Sequence, residues 1–162
     1  MTDDTRDFET WYVAVHPRLG AALTLAFGDE DLAQESADEA VARAYEAWPS
    51  VSMMASPTGW LFTVAFNVAR RRLRRRLLER KLVLRTGGEG ERVPEVELWL
   101  VVAELPDRQR QAVVLRHVGH LREREIAEVM GISRGGLSST LRAAYRSLRT
   151  ELSESVPSQE ER

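Results

Sequence analysis

Apolar residues recur at steps of three and four from near the start of the chain. Phe8, Trp11, Tyr12, Val15, Leu19, Ala22, Leu23 and Ala26 form an amphipathic stripe, which predicts a helix. Pro17 lies inside that stripe and is expected to kink or interrupt it, with His16 as a helix-break residue. Gly28 followed by Asp29 reads as a C-terminal stop and then an N-cap. A second helix is expected from about residue 30 to Trp48, ended by Pro49, with 49–56 as a loop. Ser56-Pro57, a cap followed by proline in the first turn, opens a long helix over 57–85. Phe62, Phe66, Ala69, Leu73 and Leu77 are its apolar stripe, and Arg70, Arg71, Arg72, Arg74, Arg75 and Arg76 fill the other faces. For Trp60, Phe62 and Phe66 plain core packing is the expectation.

The stretch 86–95, TGGEGERVPE, is glycine-rich, acidic and nearly without apolar residues, and so reads as a linker. Beyond it a short helix over 95–104 is stopped by Leu105-Pro106, and a helix over 107–118 ends at Gly119. A helix over 122–130, a turn at Gly131-Ile132-Ser133 and a helix over 134–152 follow. The fold class expected is all-α: two small helical domains joined by a flexible linker, the second a helix-turn-helix. The boundaries are 1–85 for the first domain, 86–94 for the linker, 95–152 for the second domain and 153–162 for a disordered tail. Each half builds only a three- or four-helix core and is expected to be marginal alone. There is no internal repeat.

Composition narrows the class. At 43% hydrophobic and 30% charged residues the chain can fold. No apolar run approaches the roughly 18 residues of a membrane span, and the acidic start MTDDTRDFE reads as no signal peptide, so membrane insertion is not expected. The absence of cysteine excludes a disulfide scaffold, a thiol nucleophile and any zinc site using sulfur, and fits a reducing cytoplasm.

The net charge of −2 conceals strong segregation. Residues 1–48 hold 11 acids and 3 arginines, net −8, whereas 60–85 hold 9 bases and one acid, net +8. Residues 107–150 hold 9 arginines and 4 acids, net +5. The two basic blocks are candidate polyanion surfaces. Of 23 bases only Lys81 is lysine, and arginine is the better phosphate fork.

The strongest local signal is REREIAEVMGISRGGLSSTLRAAYRSLR, residues 122–149. Ile126, Ala127, Val129 and Met130 form the inner face of one short helix, Gly131 permits a tight turn, and Ser133 caps the next helix. There Leu137, Leu141, Ala144, Tyr145 and Leu148 are the buried stripe, leaving Arg134, Ser138, Arg142, Arg146 and Arg149 outward. This reads as a helix-turn-helix whose second helix offers its polar face to a DNA major groove. The alternative is a plain helical hairpin with a solvated arginine face.

The run LPDRQRQAVVLRHVGHLREREIAEVMGISRGGLSSTLRAAYRSLR resembles the promoter −35-binding domain of bacterial sigma factors. In the first half, FETWYVAVHPRLGAALTLAFGDEDLAQESADEAVARAYEAW and SPTGWLFTVAFNVARRRLRRR resemble that family's core-polymerase and −10-binding domain. The compact two-domain plan points to the extracytoplasmic-function group of the sigma-70 family. The resemblance implies a cytoplasmic bacterial protein with no cofactor and no enzymatic activity. Its partners would be promoter DNA and RNA polymerase core, through the β′ clamp helices and the β flap, with an anti-sigma factor left open. It implies that Arg134, Ser138, Ser139, Arg142, Arg146 and Arg149 face the −35 element. Asn67, Arg70, Arg71, Arg74 and Arg75 would face the −10 element, and the loop 49–56 would take a flipped base. Glu35, Asp38 and Glu39 would dock on core polymerase.

Two stretches depart from the family pattern. An Asp-Leu-Val-Gln-Glu-like docking run is here Glu35-Ser36-Ala37-Asp38-Glu39, with the apolar pair and the amide gone. A Gly-Thr-Val-Lys-Ser-Arg-Leu recognition helix is here Gly135-Gly136-Leu137-Ser138-Ser139-Thr140-Leu141, with two bases replaced by Ser138 and Thr140. These departures keep a rival open: a degenerate sigma-like module that binds polymerase or another regulator without selecting promoters itself. Catalysis has no support, because there is no phosphate loop and no acid cluster at ligand spacing. His117 and His120 at i and i+3 lack a third metal ligand, so no metal site is expected.

Overall fold

The computed structural model describes residues 2–80 and 97–155. Among them it is all helix: α1 (Thr2–Phe27), α2 (Glu30–Glu46), α3 (Trp48–Val51), α4 (Pro57–Arg80), α5 (Glu97–Ala103), α6 (Asp107–His117), α7 (Glu123–Met130) and α8 (Arg134–Ser155). The expected linker 86–94, the last residues of the expected helix 57–85 and the tail from 156 lie outside the described residues. α8 runs on through Ser155, so the first residues of the expected tail, 153–155, are helical.

The expected stops hold at most ends. Asp29 caps α2, its Oδ1 accepting from the Leu32 amide at 2.8 Å. Ser56 caps α4, its Oγ accepting from the Gly59 amide at 2.9 Å. Two expectations need correction. Of the expected kink or interruption at Pro17, the interruption does not occur: α1 continues through it, and His16 is a helical residue whose ring lies 4.9 Å from that of Tyr12. Pro17 sits on the exposed side, where the carbonyl it strands can turn to water, while Val15 and Leu19 are buried and hold the helix on both sides of it. Pro49 does not simply open a loop. It enters a single helical turn, α3, where a proline near the start costs no hydrogen bond.

α2 and α4 pack side by side, and α1 covers both. α2 presents a face of small side chains, Ala33, Ser36, Ala37, Ala40 and Ala44, all within 1% of fully buried. Small residues let the α4 backbone come close. At the amino end Phe8, Trp11 and Trp48 form an aromatic cluster, with Trp11 and Trp48 centroids 4.8 Å apart. Trp11 Nε1 also donates to Thr58 Oγ1 at 3.2 Å, fixing the start of α4 against α1.

Phe62 and Phe66 are fully buried, as expected, and each contributes roughly 1.5–3 kcal/mol by leaving water. Leu77 departs from the expected stripe and is 48% exposed. The cause is the length of the neighbour: Arg76 already reaches Asp29, just before α2 begins, so the next turn of α4 has nothing to pack on.

The second half is built on α6, which packs on α7 and α8. The two halves share one continuous core, because α1 also packs on α6 and α4 on α7. Gly119 sits at the join. A Cβ there would stand 2.7 Å from the Leu115 carbonyl oxygen and 3.1 Å from Phe62 Cε1. Gly119→Ala should therefore cost about 1–3 kcal/mol by overpacking. In urea unfolding the midpoint should fall, and an unchanged midpoint would mean that the join gives way freely.

Candidate nucleic-acid interface

The helix-turn-helix stands where the sequence predicts it. Gly131 closes α7 with φ 63° and ψ 36°, a left-handed conformation that costs glycine nothing. Two residues on, Ser133 Oγ accepts from the Gly136 amide at 3.0 Å and caps α8. Leu137, Leu141, Ala144 and Leu148 are buried, which fixes the rotation of the helix about its axis. Tyr145 is half-buried, with its hydroxyl 2.9 Å from His117 Nε2 on α6. Burial there, with Arg116 and His120 nearby, holds the His117 pKa below its ordinary value.

With that rotation Arg134, Ser138, Ser139, Arg142, Arg146 and Arg149 are all exposed, and none forms an ion pair among the described residues. Thr140, one of the two departures, is turned away. Its hydroxyl donates to the Gly136 carbonyl of its own helix at 2.8 Å.

The first-half residues have divided fates. Arg71 does not stand free: its Nη2 lies 3.1 Å from Glu39 Oε1. Arg72 forks between Glu39 at 2.7 Å and Glu35 at 2.9 Å, and Arg76 between Asp29 at 2.8 Å and Glu35 at 3.1 Å. Arg43 joins Glu39 from one turn away on α2. As numbers rise along α2 they fall along α4, so the ladder is that of two antiparallel helices. The structure thus joins Arg71, from the expected −10 set, to Glu39, from the expected docking set. Asp38 is exposed and, among the described residues, accepts from Gln34 Nε2 at 2.8 Å without an ion pair. Arg74 and Arg75 are exposed with no ion pair among the described residues.

Arg70 is different again. It is half-buried between the halves, donating from Nη1 to Asn67 Oδ1 at 3.2 Å and to the Val129 carbonyl at 2.9 Å, and from Nη2 to Gln111 Oε1 at 3.0 Å. Its guanidinium carbon lies 5.7 Å from the Phe66 ring centroid. Burial, and after it the charges of Arg108 and Arg74, lower its pKa from the ordinary arginine value. No periodicity argument could have found Val129 and Gln111 as its partners, because they lie 59 and 41 residues away.

Hydrogen bonding from Arg72 is the main cause that lowers the Glu39 pKa, opposed by burial and helped by Arg43, Arg72 and Arg71. The same bond raises the pKa of Arg72. A carboxyl lowered in the folded state stabilises above its unfolded value, near 4.5, and that stability is lost as pH falls through the lower folded value. Urea unfolding between about pH 5 and pH 3 should therefore show a falling acid limb that Glu39→Gln flattens. An identical limb in the variant would mean the pair contributes nothing to folding.

Among the described residues no helix is long and apolar enough to cross a membrane, and no cluster of three metal-ligating side chains occurs. Residues 95–148 match the family model described as sigma-70, region 4, which covers α6, α7 and most of α8. An uncharacterized protein of Rhizobium meliloti (strain 1021) is 29% identical over 159 residues, covering 87% of this chain, which in turn spans only 38% of that protein's length. The sigma factor RpoE of Bartonella quintana, solved in complex with the anti-sigma factor NepR, shares the fold with a TM-score of 0.77 at 19% identity, over 93% of this chain and 99% of that one. CnrH, solved in complex with the cytosolic domain of CnrY, shares it with a TM-score of 0.63 at 20% identity, over 94% and 91%. The helix-turn-helix that the α8 cap and stripe describe lies in the stretch that matches sigma-70, region 4.

Proposed function

We propose that the chain is a sigma factor of the extracytoplasmic-function group. It is a dissociable, non-enzymatic subunit that brings bacterial RNA polymerase core to chosen promoters in the cytoplasm and assists initiation. The observation that carries this is the outward face of α8. Six exposed polar side chains, four of them arginine, stand without an ion pair among the described residues on a capped helix whose greater part matches sigma region 4. An unpaired arginine row of this kind gains nothing for folding and suits a DNA groove.

In this reading α8 reads the −35 element. Asn67, Arg70, Arg74 and Arg75 on α4, with the loop after α3, serve the −10 element, and Arg71 contributes charge only as far as Glu39 releases it. The acidic face of α2 docks on the β′ clamp helices, with Asp38 as its carboxylate without an arginine partner among the described residues, and the second half meets the β flap. The solved neighbours were captured with an anti-sigma factor and with the cytosolic domain of CnrY, and a regulator of that kind is a natural further partner here.

A second reading has one observation in its favour. Glu35 and Glu39 are already satisfied by arginines of α4, which weakens them as docking groups. A degenerate module that binds polymerase without selecting promoters would show this. Run-off transcription with purified core separates the two: the sigma reading expects promoter-dependent transcripts from this chain alone, and Asp38→Lys should weaken core binding while leaving helicity intact. Transcripts absent across a genomic promoter library would favour the degenerate module.

Arginine reads guanine in bidentate fashion, for roughly 1–3 kcal/mol of discrimination. Arg134 and Arg142 stand toward the start of α8, the end that enters a groove first, and Arg146 and Arg149 follow. Arg142→Ala or Arg134→Ala should relax base preference at one −35 position, while Arg149→Ala should weaken all sequences alike. A binding-site selection in which both of the first two leave preference untouched would remove α8 as the base reader.

A further inference from the structure

Arg70 Nη2 and Gln111 Oε1, 3.0 Å apart, join α4 to α6. Residues three or four apart share a helix face, so Arg74 follows Arg70 along α4 and Arg108 precedes Gln111 along α6. Both arginines are exposed, and neither forms an ion pair among the described residues. Both charges are felt at Arg70, where they add to burial in lowering its pKa. Three guanidinium groups, two from α4 and one from α6, therefore gather at this junction.

Among the described residues no carboxylate answers them. Asp107, next in the chain to Arg108, is engaged by Arg110 instead, at 2.7 Å. Glu35 and Glu39 of α2 are engaged by Arg71, Arg72 and Arg76. Arg70 itself has only neutral acceptors: Asn67, Gln111 and the Val129 carbonyl. The α2 ladder shows how this chain otherwise treats clustered arginines, with four of them meeting three acids. Like charges gathered at a half-buried site repel one another, and an anion carrying several charges relieves them best. A guanidinium presents paired N–H donors that match two oxygens of a phosphate. Two linked phosphates give Arg74 and Arg108 oxygens of their own, whereas a single phosphate must divide its oxygens between them.

We propose that the junction of α4 and α6 binds a small polyphosphate through Arg74 and Arg108, one on each helix, with Arg70 behind them. The chemistry recognised is the diphosphate unit shared by inorganic pyrophosphate and by nucleoside di- and triphosphates. The site is a regulatory one. Arg74 also belongs to the proposed −10 contacts, so an occupied junction withholds it from promoter DNA. That consequence rests on the sigma-factor reading, whereas the site itself does not.

Calorimetric titration of the full chain with sodium pyrophosphate, without magnesium, should give one site per chain. Arg74→Ala and Arg108→Ala should each weaken it at least about tenfold, the loss expected of a charge-assisted hydrogen bond. Orthophosphate should bind about tenfold more weakly than pyrophosphate. Arg124→Ala removes the same charge from an exposed position on α7, and salt screening should keep its effect within about twofold. Equal weakening by Arg124→Ala, or orthophosphate binding as tight as pyrophosphate, would mean a diffuse counter-ion effect and overturns the site. Pyrophosphate should also raise the thermal unfolding midpoint of the wild type but not that of Arg74→Ala with Arg108→Ala, a variant whose own cooperative transition shows that it folds. An equal rise in both overturns the site. Adenosine triphosphate that binds more tightly than pyrophosphate, with the same loss in both variants, supports a nucleotide as the occupant, and equal affinity supports the inorganic ion. Should pyrophosphate fail to bind while a single-stranded −10 oligonucleotide loses affinity in Arg108→Ala, the junction is a nucleic-acid contact and the proposal falls. A wild-type chain that gives no promoter-dependent transcript yet binds pyrophosphate as described overturns the sigma-factor reading and leaves the site standing.

Discussion

Six arginines lie within seven residues of α4, and the fold is arranged around where that positive charge goes. Left together on one helix they would repel through every turn they share. Three of them, Arg71, Arg72 and Arg76, meet the acids of α2 in a ladder that runs from Glu39 back to Asp29. Arg70 is drawn the other way, into a half-buried site among neutral acceptors of the second half. Arg74 and Arg75 are left exposed. The six therefore have three different uses, although the sequence presents them as one block.

The ladder depends on packing beneath it. The alanines and Ser36 of α2 bring α4 close enough for the flanking side chains to meet, and the ion pairs then select the register of the two helices. Each exposed pair contributes about 0.2–1 kcal/mol, less than one buried Phe62 or Phe66, so the pairs specify an arrangement more than they stabilise it. The departure from the family run at Glu35-Ser36-Ala37-Asp38-Glu39 becomes intelligible here. Ser36 and Ala37 are the buried positions, and losing larger apolar side chains there tightens the contact with α4.

Arginine also joins the halves. Arg18, Arg70 and Arg110 each reach a backbone carbonyl across the join, at Gly119, Val129 and Ala26. A guanidinium has several fixed N–H donors and carries its charge diffusely, so it can satisfy a carbonyl at a helix end where lysine would keep its water. A chain with one lysine among 23 bases is well supplied for this. The same side-chain type thus serves in joining the halves and in the proposed contacts to nucleic acid.

Much of the architecture was legible in the sequence. Local chemistry acts over three or four residues, and so Asp29, Ser56, Gly131 and Ser133 mark their helix ends and the stripe of α8 marks its buried side, whatever the rest of the chain does. The outward residues Arg134, Ser138, Arg142, Arg146 and Arg149 follow from that stripe alone. That α1 is not interrupted at Pro17 and that Leu77 is exposed are not visible in local spacing, because a helix can be held by its neighbours through a proline, or outrun them. The state of the basic block on α4 was decided only by tertiary structure. A charged side chain takes whichever partner the packing brings within hydrogen-bond reach, and Glu39, Gln111 and Val129 are brought there by helix contacts across 32 to 59 residues of chain.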